Sequence, residues 1–430
     1  MFEQRRQSVR DAMGPGAVAI FVGASLARRA NDTEYRFRQE SDFWYLTGFE
    51  HPDAVAELRT DGGPAYTLFE QPREKEAEVW TGARPGVDGA KSDFGADAAF
   101  AIGELASELP KCLEGAKRIH LQVGRDARVD HIVVGKLDEM RSRSRLGITP
   151  ASEIVDPREI VHELRLFKSS DEVELMREAA AITSDAHLQA ARIARGGTHE
   201  YELEAVLDYT YRRRGGWGPA YGTIVAGGVN ATVLHYVAND KPRTDGDLVL
   251  IDSGCEFGGY ASDVTRTYPV GGKFEESRRA VYEVVLAAQL KGLDLCGPGR
   301  TLPEIHEITT RALVEGMVSL GLLVGTVDDL IASEAYKPYY MHSTSHWLGL
   351  DVHDAGAYSL DKEPRKLEAG MAFTVEPGIY IAADAEDVPE HLRGIGVRIE
   401  DDVVITSAGH ENLNAAIPKH IDEVEAMVAG

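Results

Sequence analysis

From residue 168 onward the apolar positions fall into a helical rhythm. In KSSDEVELMREAAAITSDAHLQAARIARGG (168–197) apolar residues recur on one face, Ser and Asp open the stretch, Glu sits in the first turn and Gly-Gly closes it. THEYELEAVLDYTYRRRGG (198–216) predicts a second helix whose start is framed by Thr198 and Tyr201, and two more are expected near 275–296 and 302–320. Before residue 165 the rhythm is different. AVAIFVG, VAELRT, AYTLFE and RIHLQVG are short apolar runs of strand type, and AFAIGELASEL has a helical pattern. After the second helix come YGTIVAGG and DLVLIDSG. The last third alternates Gly-rich turns with β-type runs, AFTVEPGIYIA and GIGVRIEDDVVIT. The pattern predicts an α/β (α+β) chain of two domains, 1–165 and 166–430, as 430 residues is long for a single core.

Composition narrows the function classes. Hydrophobic residues make up 43% and charged residues 27%, values typical of a globular protein. A net charge of −24 disfavours nucleic acid and suits divalent cations or substrates with a free amine, although most of these carboxylates serve solubility. Cys112, Cys255 and Cys296 are widely spaced and form no thiolate zinc pattern, as expected of a reducing compartment. MFEQRRQSVRDAMG is charged throughout and lacks a signal pattern, and AMGPGAVAIFVGASLA is too short and too punctuated to span a bilayer. A cytoplasmic protein without membrane attachment is expected.

The chemistry gathers downstream. HSTSHWLGLDVHDAG (342–356) holds His342, His346 and His353 with Asp351 and Asp354 between them, in a chain with only 14 histidines. DLVLIDSG is a buried strand that delivers Asp252 to its tip. YASDVTRTYPV follows a short turn, so the two should form a hairpin with Asp252 and Asp263 face to face. Such a pair repels unless cations lie between; alternatively both simply cap turns. Glu376 precedes Pro377 in FTVEPGIY, where proline must bend or end the strand. In GVRIEDDVVI the period of two puts Arg398 and Glu400 on one face, where they could also be a plain ion pair. Four carboxylates and one imidazole suit Mn²⁺, Co²⁺ or Fe²⁺ at least as well as Zn²⁺, and their charge balances two divalent ions. His342 and His346 have zinc-helix spacing, but Ser343, Thr344 and Ser345 disfavour a helix and no Glu follows His342.

The ordered set Asp252, Asp263, His346, Glu376 and Glu400 resembles the metal signature of the pita-bread metallopeptidases, which include methionine aminopeptidases, prolidases and aminopeptidase P. HSTSHWLGLDVHDAG, TVEPGIYIA, RGIGVRIEDDVVIT and YASDVTRTYPVGGKF look most like the bacterial aminopeptidase P branch. YRFRQESDFWYLTGFEHPDAV and EVWTGARPG resemble its N-terminal creatinase-type domain. The resemblance implies two divalent ions, most often Mn²⁺. Asp252 would hold one, His346 and Glu376 the other, with Asp263 and Glu400 bridging. It implies that His235 and His353 hold the scissile carbonyl and its oxyanion, that His342 lines the proline side of the cleft, and that Glu376 moves a proton to the leaving nitrogen. Arg398 would steady the bridging ligands, Tyr221 would lie near the metals and Trp80 at the cleft rim. The implied activity is Xaa-Pro aminopeptidase acting on proline-containing peptides, with prolidase as the neighbouring alternative and a non-catalytic binding module as the remote one. A homodimer or homotetramer is implied as well. Ser343-Thr344 departs from the Gly-apolar pair common in this family, at the wall of the proline pocket. Asp351 and Asp354 are expected to orient the histidines or cap the turn.

Overall fold

The computed structural model describes residues 1–429 and falls into two units, Met1–Arg165 and Leu166–Gly430. In the first, a six-stranded sheet runs Ala98–Ala101, Tyr66–Glu70, Val55–Arg59, Ala17–Val22, Arg118–Leu121, Glu153–Val155 across its width. Its three central strands are antiparallel and its outer pairings parallel. Val18, Ile20, Val55, Phe69 and Ile119 form a core with the helices Leu105–Cys112 and Ala127–Ser142.

AFAIGELASEL is only half helical. Ala98–Ala101 is an edge strand, a 3₁₀ turn follows at Ile102–Glu104, and the helix begins at Leu105. Pairing with Tyr66–Glu70 captures the alternating start of the stretch, because a backbone donor at a sheet edge gains more from a ladder than from a helix it must nucleate. The charged N-terminus forms a further helix, Phe2–Met13. It buries Arg5 and Arg6, whose guanidinium carbons sit 4.1 Å over the Tyr45 ring and 4.2 Å over the Tyr66 ring.

In the second unit the helix Ser170–Arg192 starts at a capping box. Ser169 Oγ accepts from Glu172 N, and Glu172 Oε2 accepts from Ser169 N. The helices Glu200–Arg213, Glu276–Leu295 and Leu302–Ser319 follow, the last with its own box from Thr301 and Glu304. They enclose a core that includes Leu203, Tyr211, Val249, Ile251, Tyr282 and Ile399. Small antiparallel sheets supply the site. Leu248–Asp252 lies between Ile224–Gly227 and Thr265–Pro269; Ala372–Val375 pairs with Asp401–Thr406; and Gly378–Tyr380 pairs with Gly396–Arg398. Among the described residues no helix is long and apolar enough to cross a membrane.

Candidate metal centre and active site

Asp252 ends a fully buried strand, and its register partner is Thr265 rather than Asp263. The expected direct hairpin is corrected: a separate small hairpin, Cys255–Phe257 with Tyr260–Ala261, is inserted between the two strands. Asp263 lies just before the second strand, and Tyr221 connects it to Asp252. The phenol oxygen is 2.6 Å from Asp252 Oδ1 and 2.5 Å from Asp263 Oδ1. One phenolic proton therefore lies between two carboxylate oxygens.

Glu376 and Pro377 interrupt two strands, Ala372–Val375 and Gly378–Tyr380, as a proline without an N–H requires. Glu376 N donates to the carbonyl of Thr344 at 2.8 Å, tying it to the histidine segment. The Arg398–Glu400 ion pair is also corrected. Arg398 Nη2 donates to Asp252 Oδ2 at 2.6 Å, Nη1 to Tyr380 Oη at 2.9 Å, and Nε to Thr265 Oγ1 at 3.0 Å. Thr265 in turn donates to Glu400 Oε2 at 2.5 Å, so arginine and glutamate communicate through a hydroxyl.

His346 Nδ1 lies 2.9 Å from the carbonyl of Trp347, which can only accept, so Nδ1 carries hydrogen. Nε2 is thereby aimed at Asp263 Oδ2, 3.3 Å away, and Glu376 Oε1, 3.7 Å away. Donor atoms of Asp263, His346 and Glu400 lie within 4.8 Å of one another, close enough to share one ion.

The electrostatics fit that use. Burial raises Glu376 to about 7, with Asp263 and Asp252 adding to the rise against His346 and Arg398. Burial and the charges of Asp263, Glu376 and Asp252 lift Glu400 well above the carboxylate range. Burial raises Asp252 too, opposed by Arg398 and reinforced by Asp263. Burial would lower His346, but its hydrogen bond to Asp263 and the charges of Asp263 and Glu376 raise it to about 9. Three buried carboxylates and the half-buried Glu376, facing one guanidinium and one imidazole, resist ionisation together. Divalent cations relieve that repulsion, and the oxygen-rich donor set suits them.

A cavity of about 680 Å³ opens over the cluster. Its floor holds Asp252, Asp263, His346, Glu376 and Glu400; Ile224, Leu234, Val237 and Val352 give it an apolar wall. His235 and His353 are exposed to it. The His353 ring stands edge-on to His346 at 4.4 Å, and burial and the His346 charge lower its pKa. His342 Nε2 is 2.9 Å from Tyr380 Oη; burial and Arg398 push its pKa down to about 4, so its ring is neutral. Trp80 belongs to the other unit, on the helix Lys75–Thr81, and is 86% exposed. Asp354 pairs with Lys168 Nζ at 3.0 Å, and its Oδ1 accepts from Asp351 N.

Sequence reasoning did not single out Tyr380, Thr265 or Asp402. The carboxylate of Asp402 accepts from Asp263 N at 3.1 Å and Ser262 Oγ at 2.8 Å. The signal for Tyr380 was present, as Glu376, Gly378 and Tyr380 alternate through TVEPGIY.

Residues 174–407 match metallopeptidase family M24, and residues 2–121 match the aminopeptidase P N-terminal domain. The chain belongs to family M24. It is 46% identical to the Xaa-Pro aminopeptidase of Escherichia coli over 99% of this chain and 97% of that one. It superposes on the Pseudomonas aeruginosa aminopeptidase PepP with a TM-score of 0.97 at 47% identity, covering 100% of this chain and 97% of the other. A Zn-substituted E. coli aminopeptidase P in complex with product gives 0.96 at 45% identity, with 100% and 97% covered. The fold is thus the pita-bread metallopeptidase fold preceded by an aminopeptidase P-type α/β domain.

Proposed function

We propose that the chain is an Xaa-Pro aminopeptidase that uses two divalent metal ions to release the N-terminal residue of peptides with proline second. One observation carries the reading: an open cavity of about 680 Å³ has a floor of three buried carboxylates, the half-buried Glu376 and one pre-aimed imidazole nitrogen. Family membership and the relatives' printed activities support it. Asp252, Asp263, His346, Glu376 and Glu400 would hold the ions, with Mn²⁺ the proposed native metal. Bound there, the ions would supply a water acidified to near neutrality and polarisation of the scissile carbonyl.

The chain's own residues do the rest. Arg398 stays protonated among Tyr380, Asp252, Glu400 and Glu376 despite its burial, and fixes Asp252 directly and Glu400 through Thr265. Glu376, at the cavity floor beside His346, is proposed to take a proton and return it to the prolyl nitrogen, which must be protonated to leave. His353, held neutral, offers a ring N–H to oxygen charge that develops on the carbonyl, and His235 is proposed to do likewise; one aimed donor is worth about 3 kcal/mol. His342 and the apolar wall would take the proline side.

We further infer a homodimer or homotetramer with Trp80 at a cleft rim. Light scattering tests the assembly. For the activity, an Xaa-Pro dipeptide, an Xaa-Pro-Yaa tripeptide and an Xaa-Ala-Yaa tripeptide are assayed after chelation and again with Mn²⁺ restored. Metal-dependent cleavage of the Xaa-Pro-Yaa peptide is expected. Cleavage of the dipeptide alone would mean a prolidase.

A further inference from the structure

Thr344 stands midway between His342 and His346 and is 0% exposed. Its segment belongs to no helix or strand, so something else must hold it. Three side chains meet its hydroxyl: Tyr340 Oη at 2.6 Å, His306 Nδ1 at 2.8 Å and Thr309 Oγ1 at 2.8 Å. A hydroxyl has one proton and two lone pairs, so these neighbours fill it to capacity. His306 and Thr309 lie one turn apart on the helix Leu302–Ser319. They reach the loop from a rigid element.

The two ends of this node lead to two neighbouring residues of the cavity, as His342 Nδ1 is 3.6 Å from Glu376 Oε2. The Thr344 carbonyl takes the N–H of Glu376. Tyr340 meets the His342 ring edge-on, with centroids 4.9 Å apart at 74°. The backbone end would survive a change of side chain, whereas Tyr340, which packs on a His342 ring held also by Tyr380 Oη and the Ser343 carbonyl, meets Thr344 through the hydroxyl.

Resting on the function proposed above, we propose that Thr344, clamped by His306, Thr309 and Tyr340, is a positioning residue that sets the His342 wall against the metal floor and so the fit of the proline ring. Valine is nearly isosteric but leaves the buried Tyr340 Oη without the hydroxyl it meets here, while Thr309 Oγ1 keeps the Ile305 carbonyl and His306 Nδ1 keeps the Thr344 N–H; serine keeps the hydroxyl. His342 would touch bound substrate before and during reaction, so its displacement raises KM more than it lowers kcat.

The test compares T344V and T344S in the metal-loaded full chain. T344V is expected to raise KM for an Xaa-Pro-Yaa peptide about ten-fold and to lower the preference for it over Xaa-Ala-Yaa, while T344S stays within about two-fold of wild type. In the metal-free protein, hydrogen exchange of residues 340–347 should quicken about ten-fold in T344V, with the helix Glu276–Leu295 unchanged. Unchanged KM and preference in folded T344V would overturn the proposal, as would equal impairment of T344V and T344S. If T344V does not fold, Y340F removes one donor only and must move KM the same way. If the wild type cleaves neither peptide, the function is wrong, and the exchange measurement still decides whether the hydroxyl holds the loop.

Discussion

Arg398 Nη2 lies 2.6 Å from Asp252 Oδ2, so the buried guanidinium neutralises a carboxylate on another sheet, not Glu400, its neighbour along the chain. The planar fork makes three directed bonds at once, to Asp252, Tyr380 and Thr265. An ammonium of the same charge cannot reproduce them. Arg398→Lys is expected to fold, bind metal less tightly and lose about a hundredfold in kcat/KM, the scale of one aimed donor. Tripeptide hydrolysis measured alongside metal content checks this; near-wild-type turnover would show that charge alone suffices.

Metal uptake should release protons. In the metal-free protein His346 titrates near 9 and Glu376 near 7, so at pH 7.5 the imidazole is mostly charged and must lose its proton to ligate. Affinity therefore falls as pH drops through 9 and falls further below 7. Calorimetry of Mn²⁺ binding in buffers of different ionisation heat should give at least one proton released at pH 7.5, from His346 and the raised carboxyls. No net release would contradict the charged imidazole.

Glu57 gives the N-terminal unit its own pH dependence. It is 1% exposed in the sheet, its Oε1 has no partner, and burial raises its carboxyl to about 7 against a hydrogen bond with Thr67. A folded-state pKa raised from 4.5 means that the native state holds the proton more tightly. The contribution is fully present below pH 4.5 and is lost as pH rises through 7. Glu57→Gln should match wild type in acid and exceed it by about 2–3 kcal/mol at pH 8. Urea melts at the two pH values would show it, and an equal effect at both would rule the ionisation out.

Asp401 sits fully buried between Arg266 Nη2 at 2.6 Å and Lys419 Nζ at 2.5 Å, with Gln289 and Asn412 at 2.8 Å each. Burial alone would raise its pKa, yet the two cations hold it far below the usual range. Asp401→Ala leaves two cations facing each other and should cost about 3–5 kcal/mol. Thermal unfolding reads the loss directly.

The helices were legible because their ends are written in local chemistry: Ser169 with Glu172, and Thr301 with Glu304, cap themselves. The N-terminal helix was not, because Arg5 and Arg6 are buried through aromatic faces that no apolar periodicity records. The order and contexts of the five candidate ligands could be read along the chain, but their connections could not. The hairpin between Asp252 and Asp263 is a tertiary insertion, and Thr265 joins Glu400 to Arg398 from a strand read only as presenting Asp263. Asp401 and Asp402 show the limit most plainly. One letter repeated, they point to opposite sides of one strand: one into the Arg266 cage, the other onto the amide of Asp263.

That cage also ties the Glu400 backbone to a distant stretch of chain. Arg266 donates to the carbonyls of Glu400 and Ile417, and Lys419 closes on Asp401. One guanidinium thus braces the Glu400 backbone and the 417–419 segment together, with Lys419 joined to it through Asp401. A change at Lys419 should therefore be felt at Glu400 although Lys419 does not line the cavity.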